Sequence, residues 1–241
     1  MIITGSLETC QLDTIRDYIC NLDIPTGKTF HEFEKNLPPF VFGSVKNGVP
    51  LDLIRKRFPN HEIVIVDEMN EVYVSSIGSN GSDMVFETPH IDGPFGFVPG
   101  TILFRCLVVV QGNSSVSTHF PHDDKVFNLD TRDILMFDYN RDVHYIRHDG
   151  SSSDTRRRVL LKIHYAVVPR VASSIFARMN SLYNTLARQN FVRTQDPKTI
   201  FAKFNSFFIN TITKIYVQWF HTFSHFASQH PTHHGLPHAG I

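Results

Sequence analysis

The sequence predicts a mainly β chain with flanking helices, built around a jelly-roll core, and three observations carry that prediction. Short apolar runs rich in β-branched residues follow one another from about Tyr73 to Val168, with turn residues between them. From Val171 onward the pattern changes to helical spacing. Lastly, residue types suited to holding a metal are scattered through the strand-rich middle, at positions that only a barrel would bring together.

Taken in order, Leu12 to Leu22 has helical periodicity, and Leu37 to Pro50 is rich in Pro, Gly and Asn and reads as irregular. A short helix is expected over Leu51 to Phe58 and a strand over Glu62 to Asp67, so residues 1–70 form an N-terminal support region. Residues 71–169 form the core. Ile102 to Val110 is a long apolar run that Gln111-Gly112-Asn113-Ser114-Ser115 ends, and Val116 to Phe120 is another short strand. Lys125 to Leu129 alternates, a turn passes through Asp130 to Asp133, and Ile134 to Phe137 leads towards His144. Val159 to Val168 is the last strand. Residues 170–241 form a helical extension: Ser173 to Gln189 first, then, past Asp196-Pro197, a face of Phe201, Phe204, Phe208, Ile212, Ile215, Trp219, Phe223 and Phe226. A His-rich tail, His225 to His238, closes the chain.

Composition narrows the function classes. The 241 residues carry a formal net charge of zero, so no basic field advertises nucleic acid, and no nucleic-acid partner is expected. Cys10, Cys20 and Cys106 are odd in number and far apart, which suggests free thiols in a reducing compartment. Met1 to Asp13 lacks a basic start followed by an apolar core, so a cytoplasmic location is expected, at most peripheral to a membrane. Lys203, Asn210, Lys214, Gln218 and His221 break any spanning segment in the Phe-rich stretch. Its apolar face must nevertheless be covered, by the barrel, by a twin in a homodimer or by a membrane surface through residues 199–227.

The chemistry is concentrated in His90-Ile91-Asp92 and His144. In a strand, residues two apart share a face, so His90 and Asp92 reach inward together while Ile91 packs the other way. A second histidine from a neighbouring strand completes two imidazoles and one carboxylate on one face of an octahedral metal, the donor set of non-haem Fe(II) sites with open positions. The 14 His in this composition make about one His-x-Asp match expected by chance, so context has to decide between the two that occur. The other, His122-Asp123-Asp124, lies in a polar, loop-like stretch, whereas His90 follows an extended apolar approach whose Pro89 disfavours helix. For the distal ligand, Val143-His144-Tyr145-Ile146 is strand-like, while His148 stands beside Asp149-Gly150 at the start of a loop. Alternation puts Arg158, Leu160 and Lys162 on one face of the last strand, and Arg157 with the more apolar set of Val159, Leu161 and Ile163 on the other.

The stretch from about Tyr73 to Val168 resembles the double-stranded β-helix core of the Fe(II)/2-oxoglutarate-dependent dioxygenases, in particular the prolyl-hydroxylase-like and phytanoyl-CoA-hydroxylase-like branches. The matching pieces are Thr88-Pro89-His90-Ile91-Asp92, Arg132-Asp133-Ile134-Leu135-Met136-Phe137, His144, and Arg158-Val159-Leu160-Leu161. The pattern has glycine where this chain has Arg132. The resemblance implies a cupin-like jelly roll in which His90, Asp92 and His144 hold Fe(II) and Arg158 meets the far carboxylate of 2-oxoglutarate. It also implies O2 as oxidant, with ascorbate compatible as an accessory, and hydroxylation of a substrate with release of succinate and CO2. Gly93 to Pro99, apolar and punctuated by Gly and Pro, is a candidate lid. The substrate, whether small molecule, lipid or protein side chain, is not specified. Two other functions fit the same barrel: a metal-free binding module, which needs neither Arg158 nor His144, and a cupin-type metal enzyme, which keeps the ligands without the arginine.

Overall fold

The computed structural model describes residues 1–8, 10–24, 29–75, 88–93, 101–148, 154 and 156–171, with isolated positions 175, 178, 179 and 182. Ten strands and three α-helices occur among them. They are β1 (Ile3–Ser6), α1 (Cys10–Cys20), β2 (Phe30–Phe33), α2 (Phe40–Lys46), α3 (Val49–Arg57), β3 (His61–Ile65), β4 (Glu71–Val74), β5 (Ile102–Gln111), β6 (Val116–Phe120), β7 (Lys125–Asn128), β8 (Asp133–Asp138), β9 (Tyr145–His148) and β10 (Val159–Pro169).

Two antiparallel sheets face each other. The larger runs β1-β8-β5-β10-β4-β2, with β3 also paired to β10, and the smaller runs β7-β6-β9. A reciprocal backbone bridge between His90 and His144 joins the 88–93 segment to the chain entering β9, extending the smaller sheet. From β4 to β10 the chain therefore visits the large sheet, the small one, the large, the small twice, the large, the small and the large again. That order is the double-stranded β-helix, a jelly roll made of two interleaved antiparallel turns.

Strand alternation assigns each face of the large sheet a different job. Val159, Leu161, Ile163, Tyr165 and Val167 of β10 lie in one apolar cluster with Phe104, Cys106 and Val108 of β5 and with the three helices. The helices supply Leu12, Ile15 and Ile19 from α1, Val41, Phe42 and Val45 from α2, and Leu51 and Ile54 from α3. Helices this short are marginal alone, and burying each such side chain contributes about 1.5–3 kcal/mol, so docking on the sheet is what forms them. The opposite face turns Tyr73, Leu107, Phe137 and Leu160 towards Phe120 of the small sheet.

The support region is more integrated than its expected role beside the barrel. It adds β1 against β8, β2 against β4 and β3 against β10, so it extends the main sheet as well as covering it. The stretch Leu37 to Pro50, read as irregular, contains α2: Pro39 stands just ahead of the first turn, where proline's missing N–H is harmless, and three buried residues anchor the rest. The helices expected over Leu12 to Leu22 and Leu51 to Phe58 are α1 and α3, and the strand expected at Glu62 to Asp67 is β3 followed by a turn of 3-10 helix. The Phe-rich segment 199–227, the His-rich tail and the candidate lid beyond Gly93 lie outside the described residues. Among the described residues no helix is long and apolar enough to cross a membrane.

Arg132, the departure from the glycine of the motif, holds a left-handed φ of 85° at the turn before β8. The turn is fixed from both sides: Arg132 N donates to Val109 O at 2.7 Å, and Leu7 N donates to Arg132 O at 2.9 Å. A side chain in this region is strained by about 1–2 kcal/mol, more than the ~0.5–1 kcal/mol of backbone entropy that glycine would cost. Arg132→Gly is therefore expected to raise unfolding free energy by about 0.5–1 kcal/mol in urea titrations, with an unchanged urea dependence.

Candidate metal centre

His90 and His144 are directly opposite one another across antiparallel backbone. His90 N donates to His144 O and His144 N to His90 O, each at 3.0 Å. Side chains of such a pair leave on the same face, which is how two histidines fifty-four positions apart meet with ring centroids 4.5 Å apart. Asp92, two residues on, sits in a bend and brings its carboxylate to the same place. Its Oδ1 is 3.7 Å from Nε2 of His90, and its Oδ2 is 3.4 Å from Nε2 of His144. One donor atom from each of the three residues lies within 4.8 Å of the others. Ile91, between them, is buried, so the face away from the site is covered as well.

The ring orientations suit metal binding. Nδ1 of His90 lies 2.8 Å from Thr88 O and Nδ1 of His144 lies 3.2 Å from Asp142 O. A carbonyl can only accept, so each Nδ1 carries a proton, and each Nε2 lies on the Asp92 side. Burial pulls the His144 imidazole down to about 4, against the opposing influence of Asp92, so it is neutral near pH 7. Burial is also the largest influence on Asp92 and would raise it. Arg105, foremost among the neighbouring basic groups, helps hold its carboxyl well below the usual range. Two imidazoles and one carboxylate at this spacing fit a divalent transition metal. Phe137 and Phe120 pack against the His144 ring at 4.5 Å and 5.8 Å and fix its orientation.

The remaining sequence candidates separate cleanly. Arg158 is 1% exposed and lines the same cavity as the three donors. Its backbone is tied to Ser75, its Nη2 reaches Thr118 Oγ1 at 3.3 Å, and its Nε has no hydrogen-bond partner among the described residues. Burial pulls its guanidinium down to about 10, with Tyr73 opposing. Arg157 points the other way and donates to Ile24 O at 3.3 Å. His148 ends β9 opposite Val116 and is not part of the cavity lining. His122 and Asp123 are exposed in the β6–β7 turn.

The cavity also contains basic side chains that the sequence does not single out. Arg105 Nη1 is 2.6 Å from Asp92 Oδ2, and Lys162 Nζ is 3.1 Å from Glu71 Oε1 and 4.1 Å from the Tyr73 ring centroid. Leu107, Phe137, Ile146 and Leu160 complete an apolar lining. The volume is about 30 Å³, room for a pair of waters. A wider groove of about 420 Å³ between α1 and the turn before β8 is lined by Asp13, Arg16, Asp130 and Arg132 and lies away from these donors.

No family model and no curated protein matches the chain. Solved structures similar to it include the following three. One is the viral collagen prolyl hydroxylase of Paramecium bursaria Chlorella virus-1, with 10% identity over 70% of this chain and 90% of that one, at a TM-score of 0.49. A second is HygX of Streptomyces hygroscopicus, solved with nickel, 2-oxoglutarate and hygromycin B bound, with 12% identity over 70% and 82%, at 0.48. The third is the Trichoplax adhaerens prolyl hydroxylase in complex with a peptide of hypoxia inducible factor, with 14% identity over 73% and 86%, at 0.42. The double-stranded β-helix assignment follows from the chain's own strand pairing, independently of these likenesses.

Gly93 makes the ligand segment possible. Its N donates to Tyr139 O at 2.9 Å, and a Cβ there would lie 2.2 Å from the ring of Tyr139, which is itself buried. Gly43, inside α2, has open space around the same atom. Gly93→Ala is expected to lose about 1–3 kcal/mol to overpacking, while Gly43→Ala gains up to about 1 kcal/mol from helix propensity. Denaturant unfolding of the two variants side by side checks the contrast.

Proposed function

We propose that this chain is an Fe(II)- and 2-oxoglutarate-dependent oxygenase that hydroxylates a substrate with release of succinate and CO2. The observation that carries the reading is the presence, in one cavity, of a two-histidine, one-carboxylate cluster and a buried arginine with no carboxylate partner among the described residues. A binding module without metal has no use for three convergent donors, and a cupin-type metal enzyme without a cosubstrate has no use for the arginine. Burying an unmatched cation costs several kcal/mol, a cost that an anionic ligand offsets.

In this reading His90, Asp92 and His144 hold the metal, and bound Fe(II) with 2-oxoglutarate and O2 supplies the oxidation, one oxygen atom passing to succinate and the other to a substrate C–H bond. The protein's own part is arrangement. Thr88 O and Asp142 O hold the histidine protons away from the metal side. Arg158 meets the far carboxylate of the cosubstrate through its planar fork, with Thr118 keeping the guanidinium in place. Leu107, Phe137, Ile146 and Leu160 exclude water from the reacting groups. Cytoplasmic placement belongs to the same proposal, since Cys20 and Cys106 are free thiols. So does docking of residues 199–227 on a twin chain or a membrane surface.

Calorimetry under argon tests the metal and cosubstrate steps separately. Fe(II) is expected to bind the wild type, and 2-oxoglutarate to bind only after it. His90→Ala, Asp92→Ala and His144→Ala should each remove Fe(II) binding and succinate formation while far-UV circular dichroism stays that of the wild type; His148→Ala should change neither. Activity lost in His148→Ala and kept in His144→Ala would reassign the distal ligand.

Arg158→Ala should leave Fe(II) binding intact and weaken 2-oxoglutarate about 10- to 100-fold, the equivalent of a charge-assisted hydrogen bond of about 1.5–3 kcal/mol. Arg157→Ala should not. Equal affinity for 2-oxoglutarate in wild type and Arg158→Ala would reject the cosubstrate assignment and leave the metal-only reading.

A further inference from the structure

We propose that Arg105 is a positioning residue for the metal centre, holding the Asp92 carboxylate in its orientation through a fixed chain Asp92–Arg105–His164. The inference rests on the metal reading above and extends it to a residue for which neither motif nor spacing gave a sign. Arg105 lies in the middle of β5, 3% exposed, directly opposite His164 of β10 and Phe137 of β8. Cross-strand neighbours share a face, so Arg105 and His164 both turn into the barrel. Two of the three guanidinium nitrogens are committed in different directions. Nη1 reaches Asp92 Oδ2 at 2.6 Å, and Nε donates to Nε2 of His164 at 3.1 Å.

The planar fork makes that pair of contacts geometrically strict, because fixing Nε fixes where Nη1 can point. Tyr139 supports it from below: the guanidinium carbon is 4.7 Å from the Tyr139 ring centroid, and the same ring meets His164 edge-on at 5.5 Å. Tyr139 also holds the backbone after Asp92, accepting from Gly93 N at 2.9 Å, and is itself pinned by Tyr139 N donating to Leu103 O at 2.7 Å. The result is a closed circuit. Asp92 is held at its side chain by Arg105 and at its backbone by way of Gly93, and both restraints lead to Tyr139 and the β5–β10 pair.

A rival role has the opposite consequence. If Arg105 merely offsets the buried Asp92 charge, it competes with a bound cation, and removing it should tighten metal binding. If it positions Asp92, removing it should loosen binding, because outer partners of metal ligands are typically worth about 10- to 100-fold in affinity. Co(II) titration of the full chain under argon reads both affinity and, through the visible d–d bands, the symmetry around the ion. Arg105→Gln is expected to weaken Co(II) about 10- to 100-fold and to change those bands. His164→Phe, which keeps the charge of Arg105 but removes the acceptor of its Nε, should move the bands in the same direction. Arg105→Lys, which keeps charge and loses the fork, serves if Arg105→Gln does not fold, and the same shift is expected.

Equal or tighter Co(II) binding with unchanged bands overturns the proposal, as does a lowered Tm with affinity and bands both those of the wild type. A wild type that binds no Co(II) overturns the metal reading itself, and is told apart because the variants are then never reached.

Discussion

The pair of backbone hydrogen bonds between His90 and His144 is the constraint on which the centre depends. A reciprocal bond across antiparallel chains leaves no freedom of register: a slip of one residue would turn one imidazole to the opposite face and separate the rings. That bridge sits at the edge of the small sheet, beside β9, where the chain has only a few residues of regular strand. Its geometry is enforced from outside. Phe137 and Phe120 clamp the His144 ring, Gly93 anchors the segment to Tyr139, and β9 is held along β6. The two histidines are brought together by local hydrogen bonds and kept there by packing from both sheets.

The large sheet can do this because β10 and β5 are buried on both faces and divide their side chains by parity. On one face, Val159, Leu161, Ile163, Tyr165 and Val167 make a dry core with the helices. On the other, Arg158, Leu160 and Lys162 line the cavity and His164 supports Arg105. Charged side chains on an interior face are costly unless they are answered, and among the described residues two of the three are. Lys162 is answered by Glu71 and the Tyr73 ring, and Arg105 by Asp92 and His164. The stiffness that the apolar face provides is what holds those answers in place, since side chains in a closely packed core have few alternative rotamers.

Much of this was legible in the sequence, and the parts that were not have physical reasons. The long strands carry their own signal: Ile102 to Val110 and Val159 to Val168 are nearly continuous apolar runs because both faces are covered. His90, Asp92, His144 and Arg158 were readable because strand parity and motif order constrain them jointly, and the structure gathers all four around one cavity. The parity argument alone would have sent Arg157 to the apolar set. That set faces the helices, and Arg157 escapes it at the strand's start by donating to Ile24 O. Arg105 and Glu71 were missed since nothing local marks them. For Arg105 the available clue was a single charge inside an apolar run, which is buried only when something pairs with it; Glu71 follows the polar stretch Asp67 to Asn70 and carries no such clue. β1 and β2 are four residues each, too short for periodicity to show, and α2 was hidden by prolines that suit its start.

Charge accounting inside the barrel gives the centre its direction. The cavity is lined by the cations Arg105, Lys162 and Arg158 and the carboxylate Asp92, with buried Glu71 beside Lys162. Among the described residues Arg105 and Lys162 each take one carboxylate, while the Arg158 guanidinium meets a hydroxyl, a polar partner that does not neutralise it. An interior of low dielectric amplifies that difference, because a matched pair is held together more strongly than in water and an unmatched charge is penalised more heavily. The cation without a carboxylate partner lines the same cavity as the donor cluster, with apolar side chains completing the wall. An anion that reached from the donors to Arg158 would satisfy both ends at once. A ligand with a single charged end could satisfy only one, and the cavity would still carry the cost of the other.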